Sequence, residues 1–285
     1  MDQIANGSYQ KRNVVVKTRV EELVPGRYLG LTDGAARVML ILFYESDYHD
    51  VSKFIGVEVE VTGEGELGER IVRVRRGDLG AVMRDHGEIP LPPYIRRPAD
   101  EADRERYQTV YARVDGAVAS PTAGLHFTPE LLAALESEGV RSARVLLHVG
   151  PGTFRPVTAA DPAEHRMDEE WFEVTSEAAA ALRGAREAGG RIVVVGTTSV
   201  RALESACDAC GGTVGAATGW TRKFIHPPYR FQAADALLTN FHLPRTTLLL
   251  LVAAFAGAEL LRAAYAHAVR ERYRFYSYGD AMLVV

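Results

Sequence analysis

Cysteine is nearly absent: Cys207 and Cys210 are the only two in 285 residues. They stand as C-x-x-C with no second pair and no neighbouring histidine, so neither a disulfide framework nor a four-ligand zinc site assembles from them locally. A reducing cytoplasm and no metal are therefore expected. Long apolar runs are missing too: the longest, residues 248–256, falls well short of the roughly 18 residues a bilayer crossing needs. The start, Met1-Asp2-Gln3, is polar and has no signal-type hydrophobic core, so membrane and secretory roles are not expected. Nor is there an excess of positive charge. A net charge of -4 disfavours a protein that coats nucleic acid indiscriminately, while a local basic patch can still grip phosphates.

What is present, 47% hydrophobic and 25% charged residues, suits an ordinary globular chain of one large or two modest domains. No repeat or low-complexity tract interrupts it. Residues 14–82 are rich in valine, glycine and alternating polar positions. Strand-length runs at 14–16, 36–42, 57–61 and 71–74 surround turn signals at Thr32-Asp33-Gly34 and Gly63-Glu64-Gly65-Glu66. This predicts a small antiparallel β-barrel-like domain over residues 1–86. Prolines then fix an extended backbone in Ile89-Pro90-Leu91-Pro92-Pro93-Tyr94-Ile95, and a charged stretch follows, so 87–106 reads as a linker.

From residue 107 to 285 strands alternate with helices, predicting an α/β main domain. Thr128-Pro129-Glu130 has the chemistry of a helix start, Leu131, Leu132 and Leu135 supply an apolar face, and Gly139 a stop. Residues 144–150 read as a buried strand. Thr175 or Ser176 caps an alanine-rich helix that ends at Gly189-Gly190 before the strand 192–195. Near the end, Leu261, Ala264, Tyr265, Ala268, Val269 and Tyr273 recur at helical spacing.

Polar clusters stand where strands should end, which is where α/β sheets bind ligands. In Ser120-Pro121-Thr122-Ala123-Gly124-Leu125-His126-Phe127, the small residues allow close backbone approach and the following helix N-terminus favours an anion. His126 there is a cap or filler, or a working group. Residues 147–154 carry Gly150 and Gly152 but lack the third glycine and the helix of a dinucleotide fingerprint. Gly196-Thr197-Thr198-Ser199, with Arg201 and Glu204 beyond, suits a carboxylate or a ribose, or is an ordinary cap. In Thr239-Asn240-Phe241-His242, Asn240 and His242 share one face of an extended segment. Tyr273 to Met282 sets dense aromatics beside Asp280, a combination able to stack on a purine-like base or simply to pack.

Taken together, the phrases PLPPYI, YQTVYA, PTAGLHF, LHVGPGTFRPV, GTTSVRALES, DALLTNFHLP, LVAAFAG and YRFYSYGDAM resemble the S-adenosylmethionine:tRNA ribosyltransferase-isomerase family of queuosine biosynthesis, from about residue 87 to the end. The resemblance implies a transferase that uses S-adenosylmethionine as a ribosyl donor. Its acceptor is a tRNA anticodon loop carrying 7-aminomethyl-7-deazaguanine, and its products are epoxyqueuosine, adenine and methionine. A monomer working without metal is expected. Carried onto these phrases, it gives His126 or His242 as general base and Asp280 or Asn240 beside the leaving adenine or the deazapurine. Arg201 with Thr197 and Thr198 holds the methionine carboxylate, and Thr122 and Gly124 join the binding set. The chain departs from the family's usual wording at Lys17, Asp168 and Pro228, where asparagine, histidine and glycine are common, and its N-terminal part is shorter. Two other functions stay open on sequence: an S-adenosylmethionine enzyme with a small-molecule acceptor, and a non-catalytic RNA binder using Arg73, Arg75, Arg76, Arg96, Arg97, Arg222 and Lys223.

Overall fold

The computed structural model describes residues 14–16, 29–32, 37–40, 58–64, 70–78, 80–81, 89–92, 94–114, 116–150, 157 and 164–285. The architecture is mixed α/β, divided into two compact units: Met1–Pro90 with Gly116–Val118, and Leu91–Asp115 with Ala119–Val285. Lys17, Gly152 and the rest of residues 151–156 lie outside the described residues.

The first unit holds one sheet of β1 (Val14–Val16), β2 (Leu29–Thr32), β3 (Arg37–Leu40), β4 (Glu58–Glu64) and β5 (Arg70–Arg76), in the order β1-β4-β5-β2-β3. The two turn signals begin on the last residues of β2 and β4, and β2 with β3 and β4 with β5 pair antiparallel. The expectation of an antiparallel barrel needs correcting in two respects. β2 pairs with β5 in parallel, and among the described residues no pairing joins the outer strands β1 and β3, so the sheet is open. Turn residues fix only the sense of the two strands they connect. How one hairpin meets the next depends on long-range pairing that turn chemistry does not encode.

In the second unit, part of the stretch read as linker folds as α1 (Glu101–Arg106). A capping box starts it: the Asp100 carboxylate accepts from the Asp103 N–H, and the Asp103 carboxylate accepts from the Asp100 N–H. Asp103 is buried, yet fully partnered, because the Arg97 guanidinium donates to both its oxygens at 2.6 and 2.8 Å and the Tyr278 hydroxyl donates at 2.8 Å. Charged composition here marks a buried polar clasp.

Two three-stranded sheets follow. β6 (Leu146–His148), β7 (Glu170–Val174) and β9 (Ala217–Thr221) are antiparallel in the order β6-β7-β9. In the other sheet β10 (Ala236–Asn240) is central, parallel to β8 (Val193–Val195) and antiparallel to β11 (Ala281–Val284). The helices are α2 (Pro129–Ser137), α3 (Ser176–Glu187), α4 (Thr197–Ala209), α5 (Thr247–Ala256) and α6 (Ala258–Arg270). Thr128 and Thr175 cap α2 and α3 through their hydroxyls, and Gly139 follows α2 with φ +81°. No residue of α2 is buried, however: Leu132 and Leu135 are half-covered and Leu131 stays 42% exposed. β6 is likewise only half-buried, since it is an edge strand.

The core packs α4 and α5 on the sheets. Val174, Val194, Val200, Leu237, Leu251 and Val252 are buried there, each contributing about 1.5–3 kcal/mol on leaving water. α5 and α6 meet at Gly257 with a bend of 114°, and among the described residues no single helix is long and apolar enough to cross a membrane. On α6 the buried stripe is narrower than its spacing predicts: Leu261 and Ala268 are covered, while Val269 is 67% and Tyr273 41% exposed. Cys207 and Cys210 are free thiols at the far end of α4, the first buried and the second half-buried.

Candidate active site

Because β8 and β10 are parallel, their C-terminal ends lie side by side, and the Gly196 N–H donates to the Leu238 carbonyl at 2.9 Å to tie them. β8 delivers Gly196, Thr197 and Thr198 to this edge; β10 delivers Thr239, Asn240 and then His242. The 3₁₀ turn Thr122–His126 packs there as well, and the C-terminal turn joins it where the Tyr276 N–H donates to the Phe241 carbonyl at 3.0 Å. These elements line an open cleft together with Tyr94, Ser120, Thr246 and Ser277.

One wall is rich in donors. Side-chain oxygens of Asp100, Thr128, Thr175 and Thr246 cap α1, α2, α3 and α5. At α4 the cap position is Gly196, whose φ of +90° suits glycine and which offers no side chain. The first-turn amides of α4, beside the Thr197 and Thr198 hydroxyls, thus form the positive end of a helix dipole at a cleft.

Beside it, the end of β10 brings the polar side chains of Thr239, Asn240 and His242 to the cleft. His242 Nε2 and Thr239 Oγ1 are hydrogen-bonded at 2.7 Å, and the Tyr265 hydroxyl binds both the N–H and the carbonyl of His242. Burial pushes the His242 pKa down to about 4, so its ring is neutral at pH 7. Asn240 Nδ2 lies 3.1 Å from His126 Nε2 and donates to the Tyr276 carbonyl at 3.2 Å. Tyr276 adopts a left-handed backbone, φ +72°, and its ring sits 4.8 Å from that of Tyr94. The Tyr94 hydroxyl in turn is 2.5 Å from Ser277 Oγ and accepts from the Ser277 N–H.

Residues 14–284 match the family described as queuosine biosynthesis protein. The chain belongs to that family. It is similar to an S-adenosylmethionine:tRNA ribosyltransferase-isomerase of Rhodospirillum rubrum, 55% identical over 80% of this chain and 67% of the relative. The enzyme of the same name from Syntrophomonas wolfei is 46% identical over 97% of this chain and 84% of that one. That from Ralstonia pickettii is 57% identical over 71% and 56%. The chain therefore spans between 56% and 84% of these relatives' own lengths. A crystal structure of S-adenosylmethionine tRNA ribosyltransferase from Thermotoga maritima is 38% identical, with a TM-score of 0.48, over 80% of this chain and 62% of that chain.

In this queuosine-family chain, Thr122, Thr197, Thr198, Asn240 and His242 come together on the cleft, and His126 stands one hydrogen bond behind it. Besides His126, three expected residues do not line it. Gly124 is a packing glycine: a Cβ there would lie 2.1 Å from the Tyr111 hydroxyl and 2.7 Å from Thr109 Cγ2. Asp280 accepts from the Arg274 N–H at 2.6 Å and its guanidinium at 3.2 Å, which holds its pKa below the usual carboxylate value. Arg201 is buried, ion-paired with Glu170 and donating from Nε to the Lys223 carbonyl at 2.9 Å. Since Glu170 also accepts from the Gly150 N–H, the arginine fastens α4, β7 and the end of β6 together.

Tyr94, Ser120, Thr239, Thr246 and Ser277 line the cleft without having been singled out as site residues by their sequence. The polar phrases around 120, 239 and 246 carried a signal, whereas Tyr94 looked like part of a proline-rich spacer. Of the cations named for phosphate contact, Arg97, Arg222 and Lys223 are paired with Asp103, Glu169 and Asp208; Arg73, Arg75, Arg76 and Arg96 are exposed. Asp168 is half-buried, and the Pro227–Pro228 peptide is cis. Among the described residues no group of three or more His, Cys, Asp or Glu side chains is placed to hold a metal ion.

Proposed function

We propose that this protein transfers and isomerises the ribosyl moiety of S-adenosylmethionine onto 7-aminomethyl-7-deazaguanine in the anticodon loop of tRNA, giving epoxyqueuosine, adenine and methionine. It acts in the cytoplasm, as a monomer and without a metal. The observation that carries the reading is a cleft lined at once by a helix N-terminus without a side-chain cap, a neutral histidine and a buried asparagine. In this reading the α4 amides with Thr197 and Thr198 take the methionine carboxylate, and Arg201, which pairs with Glu170 and does not line the cleft, is not assigned to it.

The sulfonium makes the adjacent ribose carbon acidic, so a proton acceptor opens the reaction, and His242 is the acceptor best placed. Its low proton affinity keeps the ring neutral, and the role requires the tautomer in which Nε2–H donates to Thr239 and the lone pair resides on Nδ1. After adenine departs, the amine of the acceptor base attacks the ribosyl fragment and methionine leaves as the epoxide closes.

The test incubates the full chain with S-adenosylmethionine and an anticodon stem-loop bearing 7-aminomethyl-7-deazaguanine, reading the RNA by mass spectrometry and free adenine by chromatography. Modified RNA with adenine release is the expected result. Adenine release only with a free small-molecule acceptor, or RNA binding with neither product, overturns it.

A further inference from the structure

We propose that Asn240 Oδ1 recognises the 6-amino group of the adenine carried by the S-adenosyl donor, with the Tyr276 ring as its stacking surface; this rests on the cleft being the S-adenosylmethionine site. The side chain is 1% exposed and its amide cannot be turned round. The atom 3.2 Å from the Tyr276 carbonyl has to be a donor, because a carbonyl only accepts, so it is the nitrogen, and the same nitrogen meets His126 Nε2. The oxygen is left buried, with no hydrogen-bond partner among the described residues. Leaving such a carbonyl unmatched is unfavourable, and a ligand N–H relieves it.

The ligand that relieves it and uses the neighbouring ring must bring a hydrogen-bond donor beside a flat face. Asn240 and Tyr276 line the same cleft, and Tyr276 is held rigidly by its link to Phe241 and its contact with Tyr94. In the donor, the sulfonium has no hydrogen to give, and the ribose hydroxyls, which can donate, bring no flat face to the Tyr276 ring. The methionine ammonium adjoins its carboxylate, which belongs at the α4 amides. The adenine amino group is the N–H that remains, and its ring supplies the face. Ser120 Oγ, also buried on the cleft without a partner among the described residues, is a hydroxyl able to donate to a ring nitrogen.

Calorimetric titration of the full chain with S-adenosylmethionine and with its analogue lacking the 6-amino group tests this without turnover. The wild type should bind the analogue about tenfold or more weakly. Asn240→Ala should lose affinity for S-adenosylmethionine and bind the two ligands alike. If that variant does not fold, the wild-type pair of titrations decides by itself. Equal binding of the two ligands by the wild type overturns this assignment and leaves the enzymatic reading standing, whereas no binding of S-adenosylmethionine at all overturns both. Discrimination seen only between stem-loops with and without the 2-amino group of the acceptor base assigns Asn240 to the acceptor and overturns the proposal.

Discussion

His126 Nε2 accepts from the Asn240 amide across 114 positions of chain, so the neutral imidazole carries its proton on Nδ1 and has its lone pair already engaged. Burial lowers the His126 pKa as well. The two histidines at this sheet edge therefore differ in kind: His126 supports Asn240, and His242 faces the cleft.

Replacing His242 by alanine should slow adenine release by about 10²–10⁴-fold in single-turnover experiments, with S-adenosylmethionine binding changed far less. His126→Ala should chiefly weaken donor binding by loosening Asn240. Unchanged turnover in His242→Ala would remove that residue from the chemistry.

Acid should destabilise the fold partly through His242. Its folded pKa is about 4 against an ordinary 6.5, so between these values the unfolded chain takes up a proton that the folded chain refuses. Stability accordingly rises with pH across that window and falls as pH drops, by about 3 kcal/mol once below pH 4. Urea midpoints from pH 4 to 7 should show a shallower slope in His242→Gln than in the wild type.

Arg201→Met or Glu170→Leu alone should cost about 3–5 kcal/mol, because each strands a buried charge, and the double variant should regain much of it. Urea unfolding reads this directly. An Arg201→Met protein of normal stability with a raised KM for S-adenosylmethionine would instead make Arg201 a substrate ligand.

Gly124→Ala should destabilise by about 1–3 kcal/mol through overpacking. The nearest atom is the Tyr111 hydroxyl, so Tyr111→Phe in the same chain should return part of the loss, measured as Tm.

Local chemistry was legible in the sequence wherever a few neighbouring residues decide the outcome. The Thr128 and Thr175 caps, the paired strands around both turn signals, and the gathering of Thr122, Thr197, Thr198, Asn240 and His242 at strand ends are of that sort. Partners far along the chain were not legible. Arg201 presents the same cationic side chain whether it binds a carboxylate ligand or Glu170, 31 positions away, and only the packing of β7 on α4 decides. Tyr94 reaches the cleft through Ser277, 183 positions on. The parallel meeting of β2 and β5 belongs to the same class.

The two thiols on α4 have unequal chemistry. Cys207 is fully buried with its pKa pushed up to about 11, which keeps it protonated and slow towards electrophiles, whereas Cys210 is half-buried at the helix end. A single maleimide dye should therefore attach at Cys210 without any engineering. From there α4 runs roughly 20 Å to Thr197 at the cleft, at 1.5 Å per residue. That separation suits energy transfer to a fluorescent ligand, so the unmodified chain already carries an optical ruler for donor occupancy.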